Sequence, residues 1–389
     1  MTDSNHQIKR LSEQLAPRLV AMRQELHRHP ELSGQEVWTT DRLRTWLTEA
    51  GITILPLNLP TGLVAEVRGA KPGPTVAVRS DIDALPVQEE TGLPYASEIP
   101  GRMHACGHDF HMASVLGAAL ILQEIRDDLA GQVRFLFQPA EEEATGARAM
   151  IAAGALDGVQ AIFGMHNKPD VPSGHVGIKA GPLMAATDTI SITIEGKGGH
   201  AAIPDAGIDP VVAGSAIVMA LQTIVSRNIS PLDAAVITIG SFQAGTTHNV
   251  IPPSARLYGT VRTFTPEVRE RVRERIDRIV ADVASAYGCR AAVSWLEGTP
   301  AVNNDPAMAD LMRQAAAKID MPVMEAVPTM GGEDFAEYQR RVPGCFVWMG
   351  TGCPEGWHHP RFTVDESVIH RASALFAQTA VDALASLGR

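Results

Sequence analysis

"QVRFLFQPAEEE", residues 132–143, sets an apolar run directly against a proline and three carboxylates. The run reads as a buried strand, and Pro139, which cannot donate to a ladder, ends it. Open α/β sheets bind their ligands just beyond the ends of strands. Glu141, Glu142 and Glu143 therefore admit two readings: a solvated turn, or a site in which one carboxylate is a ligand and its neighbour a base.

The flanking segments repeat the arrangement. "LVAEVRGAKPGPTVAVRSDIDALP", residues 63–86, reads as two strands joined by a Lys-Pro-Gly-Pro turn. The second strand leads into Asp81 and Asp83, which a period of two sends to the same side if the extended conformation continues. "HACGHD", residues 104–109, precedes a helix expected over 110–126. Its Cys106 and His108, one residue apart, can grip one ion; the alternative is a buried thiol beside a solvated imidazole. "QAIFGM" is a strand that ends at His166, and "GWHHPRF" brings His358 and His359 after the strand "GCFVWMG". Amphipathic helices are expected over 8–28 and 39–50 at the start, and over 308–318 and 367–387 near the end.

The middle of the chain has a different rhythm. Strand "TISITIEG", helix 209–227, strands "AAVITIGSFQAG" and "ARLYGTVRTF", helix 266–287 and strand "RAAVSW" follow in the order βαββαβ. That is a ferredoxin-like module, inserted into a larger α/β domain. The expected division is a discontinuous domain of residues 1–184 and 296–389, with the insert at 185–295. A chain of 389 residues is also longer than one core normally serves.

Composition narrows the partners. With 33 basic and 44 acidic residues the net charge is −11, which argues against nucleic acid or an anionic membrane surface. The start "MTDSNHQIKR" lacks the pattern of a secretory leader, and the longest apolar runs fall short of the ~20 residues that span a bilayer. Four irregularly spaced cysteines make no disulfide framework. A cytoplasmic enzyme of small solutes is the expectation.

Cys106, His108, Glu141 or Glu142, His166 and His358 or His359 thus fall at the ends of separate strands. Thiolate, imidazole and carboxylate suit zinc and tolerate manganese, cobalt or nickel. Five ligands exceed one tetrahedral ion, so two ions sharing a bridging group is the economical reading, an arrangement typical of hydrolases. No His-Glu-x-x-His helix, Gly-x-Ser-x-Gly elbow or Walker loop is present.

Six stretches carry a resemblance: "RSDIDALPVQEETGLPYAS", "MHACGHDFHMASVLGAA", "FQPAEEEATGARAMI", "GKGGHAAIPDAGIDP", "HNVIPPSARLYGTVRTF" and "GGEDF". In order, and over nearly the whole chain, they resemble the motifs of metal-dependent amidohydrolases of the aminoacylase and hippurate hydrolase type. These include plant indoleacetyl-amino acid hydrolases and are related to dimetal carboxypeptidases. The resemblance implies a dimetal-peptidase-like α/β catalytic domain with an inserted ferredoxin-like domain serving as lid and dimerisation module. It implies two divalent ions held by Cys106, His108, Glu142, His166 and His358, with Glu141 as base and Asp83 orienting a ligand. His358 is preferred to His359 because the family motif is His, one variable residue, then Pro.

The resemblance also implies that His200 stabilises the oxyanion in a partner subunit's site. Asn249 and Arg262 hold the substrate carboxylate, and Gly332 lies near the substrate backbone. Read without it, Arg262 is a surface or inter-subunit ion pair, Asn249 structural and His200 a loop histidine. The implied reaction is hydrolysis of the amide of an N-acyl amino acid by a homodimer joined through the lid. A dipeptidase or carboxypeptidase on the same scaffold is the alternative among enzymes, and a non-catalytic metal-dependent binding protein the alternative outside them. Thr363, Val364 and His359 depart from the pattern of many relatives, which bears on the substrate pocket and leaves the ligands intact.

Overall fold

The computed structural model describes residues 2–388, and the side chains from residue 5 onward. Contacts divide the chain into two units. The first runs up to Leu183 and includes Asn303–Val327 and everything described from Asp334; the second is Met184–Val302 with Pro328–Glu333. The module expected at 185–295 lies inside the second unit, which also takes in 296–302 and 328–333.

The first unit is built on an eight-stranded mixed sheet in the order Thr53–Ile54, Leu63–Arg68, Ala130–Gln138, Lys71–Asp81, Val159–Lys168, Gly344–Gly350, Val176–Ile178, Val323–Glu325. Its centre is parallel: Lys71–Asp81 runs alongside both Ala130–Gln138 and Val159–Lys168, and the latter alongside Gly344–Gly350. Parallel strands buried on both faces need continuous apolar runs, and Gly344–Gly350 is buried at every position. Because these strands point the same way, Asp81, Gln138 and His166 finish at one edge of the sheet.

Helices Thr2–Arg28, His108–Glu124 and Ile369–Leu387 pack with this sheet. The first helix begins several residues before the expected start. His108–Glu124 has no polar face, and its residues from His108 to Leu122 are all buried. Its neighbours come very close: a Cβ on Gly117 would stand 2.2 Å from Ser373 Oγ and 2.8 Å from Leu19 Cδ1. Only glycine lets the three helices approach this far.

The second unit forms the expected βαββαβ sequence. Its antiparallel sheet has the order Ala235–Ala244, Ser254–Thr263, Ala186–Glu195, Arg290–Glu297. Ile190, Ile192 and Ile194 alternate onto one face and meet Ile217 and Leu221 of helix Pro210–Thr223, and Val272 and Ile276 of helix Pro266–Ala286. Both helices start with proline at the first position after a capping side chain. Asp209 accepts from the amides of Val211 and Val212, and Thr265 from that of Val268. Each cap contributes about 1 kcal/mol.

Residues Pro210–Asn228 form a 19-residue helical stretch, an α-helix continued by a π turn, that is long and apolar enough to cross a membrane by length and composition. The stretch is apolar because it has two demands on it: Ala213, Gly214, Ile217 and Leu221 are buried in the module, while Val212 and Met219 are exposed.

Candidate active site

Site building starts where the central strand ends. Asp81 closes strand Lys71–Asp81, and Asp83 follows in non-strand backbone, yet both reach the first turn of helix His108–Glu124. Asp81 Oδ1 accepts from His111 Nδ1 at 2.6 Å, and Asp83 Oδ1 from His108 Nδ1 at 3.1 Å. The Asp83 backbone oxygen also accepts from His108 Nδ1, at 2.9 Å. Ser33 Oγ and the Glu142 amide complete Asp83, at 2.7 and 3.1 Å. With Nδ1 committed, His108 turns Nε2 inward.

The one-residue spacing of Cys106 and His108 works through Gly107, whose φ of 85° places it in the left-handed region open to glycine. A Cβ there would also lie 2.4 Å from Asn167 Nδ2. Cys106 Sγ lies 3.3 Å from His166 Nε2, while His166 Nδ1 donates to the Asn167 carbonyl at 2.8 Å. The turn after Pro139 brings Glu142 Oε1 to 3.9 Å from His108 Nε2 and 3.5 Å from His358 Nε2. His358 itself has φ 64°, an unfavourable conformation for histidine costing on the order of 1–3 kcal/mol, and its amide is anchored on the Ala105 carbonyl at 2.9 Å. His359 faces elsewhere, with Nδ1 3.7 Å from Glu355.

Cys106, His108 and His166 can share one ion, as can Cys106, Glu142 and His358; His108, Glu141 and Glu142 form a third such group. Because the groups share members, the cluster could hold two ions side by side. Its donors fit the ions: His108 Nε2 and Glu142 Oε1 are buried and make no hydrogen bond, a cost of ~1–3 kcal/mol each unless a ligand meets them. Electrostatics agree. Burial opposes charge on His108, but Asp81, Asp83 and Glu142 outweigh it and raise its pKa to about 10, so a positive charge is demanded at this spot. Burial, then Glu142 and Glu141, push the Cys106 thiol well up, so its thiolate needs a cation. Burial, reinforced by His111, keeps His166 neutral and able to ligate.

Several supporting residues carried no functional signal in the sequence. Glu36, fully buried, accepts from the amides of Gly34 and Ala140 at 2.9 and 2.8 Å and from Thr61 Oγ1 at 2.9 Å. It thereby holds the Ala140 turn, φ 50°, from which Glu141 and Glu142 project. His27 is buried and bonded through Nδ1 to Asp109, itself paired with Arg23 Nε at 2.7 Å. A matching acid and base many residues apart was visible; their meeting was not.

The remaining predicted residues belong to the second unit. The two-residue strands Gly199–His200 and Val250–Ile251 pair, with His200 opposite Val250, and the Asn249 carbonyl accepts from the Ala201 amide at 3.1 Å. His200 and Asn249 are thus neighbours, and both are exposed. Arg262 is half-buried on strand Ser254–Thr263, donates to Thr260 Oγ1 and the Val261 carbonyl, and makes no ion pair among the described residues. Gly332 lies against Thr187, where a Cβ would come within 2.4 Å of Cγ2.

Thiol, imidazole and carboxylate groups that could hold two ions, at the strand ends of an α/β sheet and beside a further carboxylate, are what a metal-dependent hydrolase requires. Residues 77–382 match Peptidase family M20/M25/M40, and the chain belongs to that family. It is 52% identical over 371 residues to an N-acetylcysteine deacetylase of Bacillus subtilis (strain 168), covering 95% of this chain and 98% of that one. With an N-acetyldiaminopimelate deacetylase of Geobacillus thermodenitrificans (strain NG80-2) it shares 41% over 361 residues, 91% and 95% of the two chains. Among solved structures it resembles a Bacillus subtilis protein described as a dinuclear metal binding peptidase from the M20 family. The TM-score is 0.89 and the identity 48%, over 96% of this chain and 99% of the other.

Proposed function

We propose that the protein hydrolyses the amide bond of N-acyl amino acids, with N-acetyl amino acids as its main substrates, releasing a carboxylic acid and a free amino acid. The observation that carries the reading is the pair of buried atoms without a hydrogen bond, His108 Nε2 and Glu142 Oε1, inside the Cys106, His166 and His358 cluster. Relatives named as N-acetylcysteine and N-acetyldiaminopimelate deacetylases support the choice of acyl group.

In this reading Cys106, His108, Glu142, His166 and His358 hold two divalent ions, zinc, manganese, cobalt or nickel. Bound there, the ions polarise the amide carbonyl and lower the pKa of water. Glu141 takes the proton of the attacking water and passes it to the departing amine, a shuttle worth roughly 10²–10⁴ in rate. Asp83 keeps His108 oriented with Nε2 unprotonated when it ligates. His200 donates to the carbonyl oxygen as negative charge develops there. Arg262 and Asn249 grip the substrate carboxylate, for which a planar guanidinium is the better match, and Gly332 leaves room for the substrate backbone.

The assembly in this proposal is a homodimer through the second unit, with His200 serving the partner's site. Val212 and Met219, 49% and 73% exposed on helix Pro210–Thr223, offer an apolar surface for it. The cellular setting is the cytoplasm, in keeping with four unpaired cysteines.

The test is amino-acid release from N-acetyl, N-benzoyl and N-indoleacetyl amino acids and from dipeptides. Metal-loaded protein, chelated protein and Glu141→Ala are compared, with sedimentation analysis for the dimer. Release from N-acetyl substrates that vanishes on chelation and in the variant supports the proposal. Preference for a free substrate amine would move it to the dipeptidase reading.

A further inference from the structure

Two of the ligands assigned above, Cys106 and His166, are joined through one residue that no role so far has used. Asn167 is fully buried and follows His166 on strand Val159–Lys168. Its side-chain Nδ2 donates to the Cys106 carbonyl at 2.5 Å, and its own carbonyl accepts from His166 Nδ1 at 2.8 Å. The same residue therefore holds the backbone of one ligand and the ring of the other, whose Sγ and Nε2 stand 3.3 Å apart.

Asn167 is in turn fixed from two sides. His111 donates through Nδ1 to Asp81 at 2.6 Å, which leaves Nε2 bare. That nitrogen accepts from the Asn167 amide at 2.9 Å and from Nδ2 at 3.0 Å. Trp357 Nε1 donates to the Asn167 carbonyl and to Oδ1, at 3.1 and 3.2 Å, and its ring lies edge-on to His166 with centroids 4.8 Å apart. Trp357 directly precedes the ligand His358. Every polar atom of Asn167 is thus used, and the pattern determines which end of the amide is nitrogen: two acceptors face Nδ2, and one donor faces Oδ1. An aspartate of the same shape would set oxygen against both the Cys106 carbonyl and His111 Nε2.

We propose that Asn167 is a positioning residue, which sets the separation and orientation of Cys106 and His166 as metal ligands, with the Asp81–His111 pair keeping it in place. The inference rests on the ligand assignment made above. Outer partners of metal ligands typically carry 10–100-fold in metal affinity or activity.

The experiment compares cobalt(II)-loaded wild type with Asn167→Asp and Asn167→Ala. Readouts are the ligand-field and thiolate-to-cobalt absorption bands, cobalt affinity by competition with a chelator, kcat and KM, and melting of the metal-free protein. Asn304→Ala is the control, since Asn304 is equally buried and bonded to the backbone of Lys179 and Phe346. The expected result is a changed thiolate band, cobalt affinity lower by about 10–100-fold and a fall in kcat with KM within about twofold. Asn304→Ala melts earlier but keeps the wild-type spectrum.

Should Asn167→Asp not fold, Trp357→Phe, which removes the indole N–H that binds Asn167 and trims the ring against His166, carries the same test through a smaller spectral change. Wild-type spectra and affinity in the Asn167 variants, with a stability loss matching Asn304→Ala, overturn the proposal. Cys106→Ala and His166→Ala separate the two levels: if neither alters cobalt binding, the ligand assignment itself fails. If both do and the Asn167 variants do not, only this inference falls.

Discussion

The ligand cluster of the first unit and the Gly199–His200, Val250–Ile251 ribbon of the second both carry residues with assigned roles, yet they are built on opposite terms. In the cluster, Cys106, His108 and His166 are buried, and the second nitrogen of each of these two rings is committed to a carboxylate or a carbonyl. In the ribbon, His200 and Asn249 are exposed, and His200 Nδ1 accepts from the nearby Ala202 amide, at 3.1 Å. An ion demands fixed geometry and a dry, charged cage, which burial supplies. A group that meets a substrate only during turnover gains from freedom and access.

That contrast can be broken most sharply at the cluster. Cys106→Ala or His108→Ala is expected to remove bound metal, by elemental analysis of the purified protein, together with essentially all activity. Retention of two ions per chain in either variant would show that the burial pattern misled us. At the ribbon, His200→Ala is expected to keep its full metal content and KM while kcat falls roughly 10²–10³-fold, the size of losing one oxyanion donor. Equal losses of metal and activity there would erase the distinction.

Arg262→Lys probes the second unit more gently. A point charge replaces a two-pronged donor, so KM for N-acyl amino acids should rise by about tenfold, near 1.4 kcal/mol, with kcat little changed. An amidated substrate lacking the carboxylate should show no such difference between the two proteins.

The smallest expected effect concerns the support of the cluster. Burial holds the Glu36 carboxyl above its ordinary pKa in spite of the hydrogen bonds from Ala140, Thr61 and Gly34. A folded-state pKa raised above the unfolded one gives stability that is present at low pH and lost as pH rises through the folded value. Glu36→Gln keeps an acceptor for the Ala140 and Gly34 amides and removes the charge. Its urea midpoint should therefore gain on wild type between pH 4 and pH 8; a gap that is constant or shrinks with pH would contradict the assignment. Glu36→Ala, which frees those amides, should lose stability at every pH.

Much of the molecule could be read in advance where a local rule and the fold agree. The second unit's βαββαβ order follows from strict alternation in "TISITIEG" and from the Asp-Pro and Thr-Pro starts at Asp209 and Thr265, each a cap the structure uses. The segments that meet in the cluster were legible because Cys, His and Glu stood at the ends of strands whose apolar runs were plain. The choice among neighbours had another source: spacing left Glu141 and Glu142, or His358 and His359, undecided, and the family resemblance chose between them.

Sequence by itself determined the elements, the supply of candidate ligand atoms and the net negative charge, because propensity, periodicity and residue chemistry are local. Only the tertiary structure decided that Asp81, His111 and Asn167 form one chain behind the ligands, that Glu36 holds the turn of Glu141, and that His27 meets Asp109. Those contacts join residues 30 to 104 positions apart. They arise from strands stacked side by side in an order unrelated to their order in the chain, and no local pattern records that order.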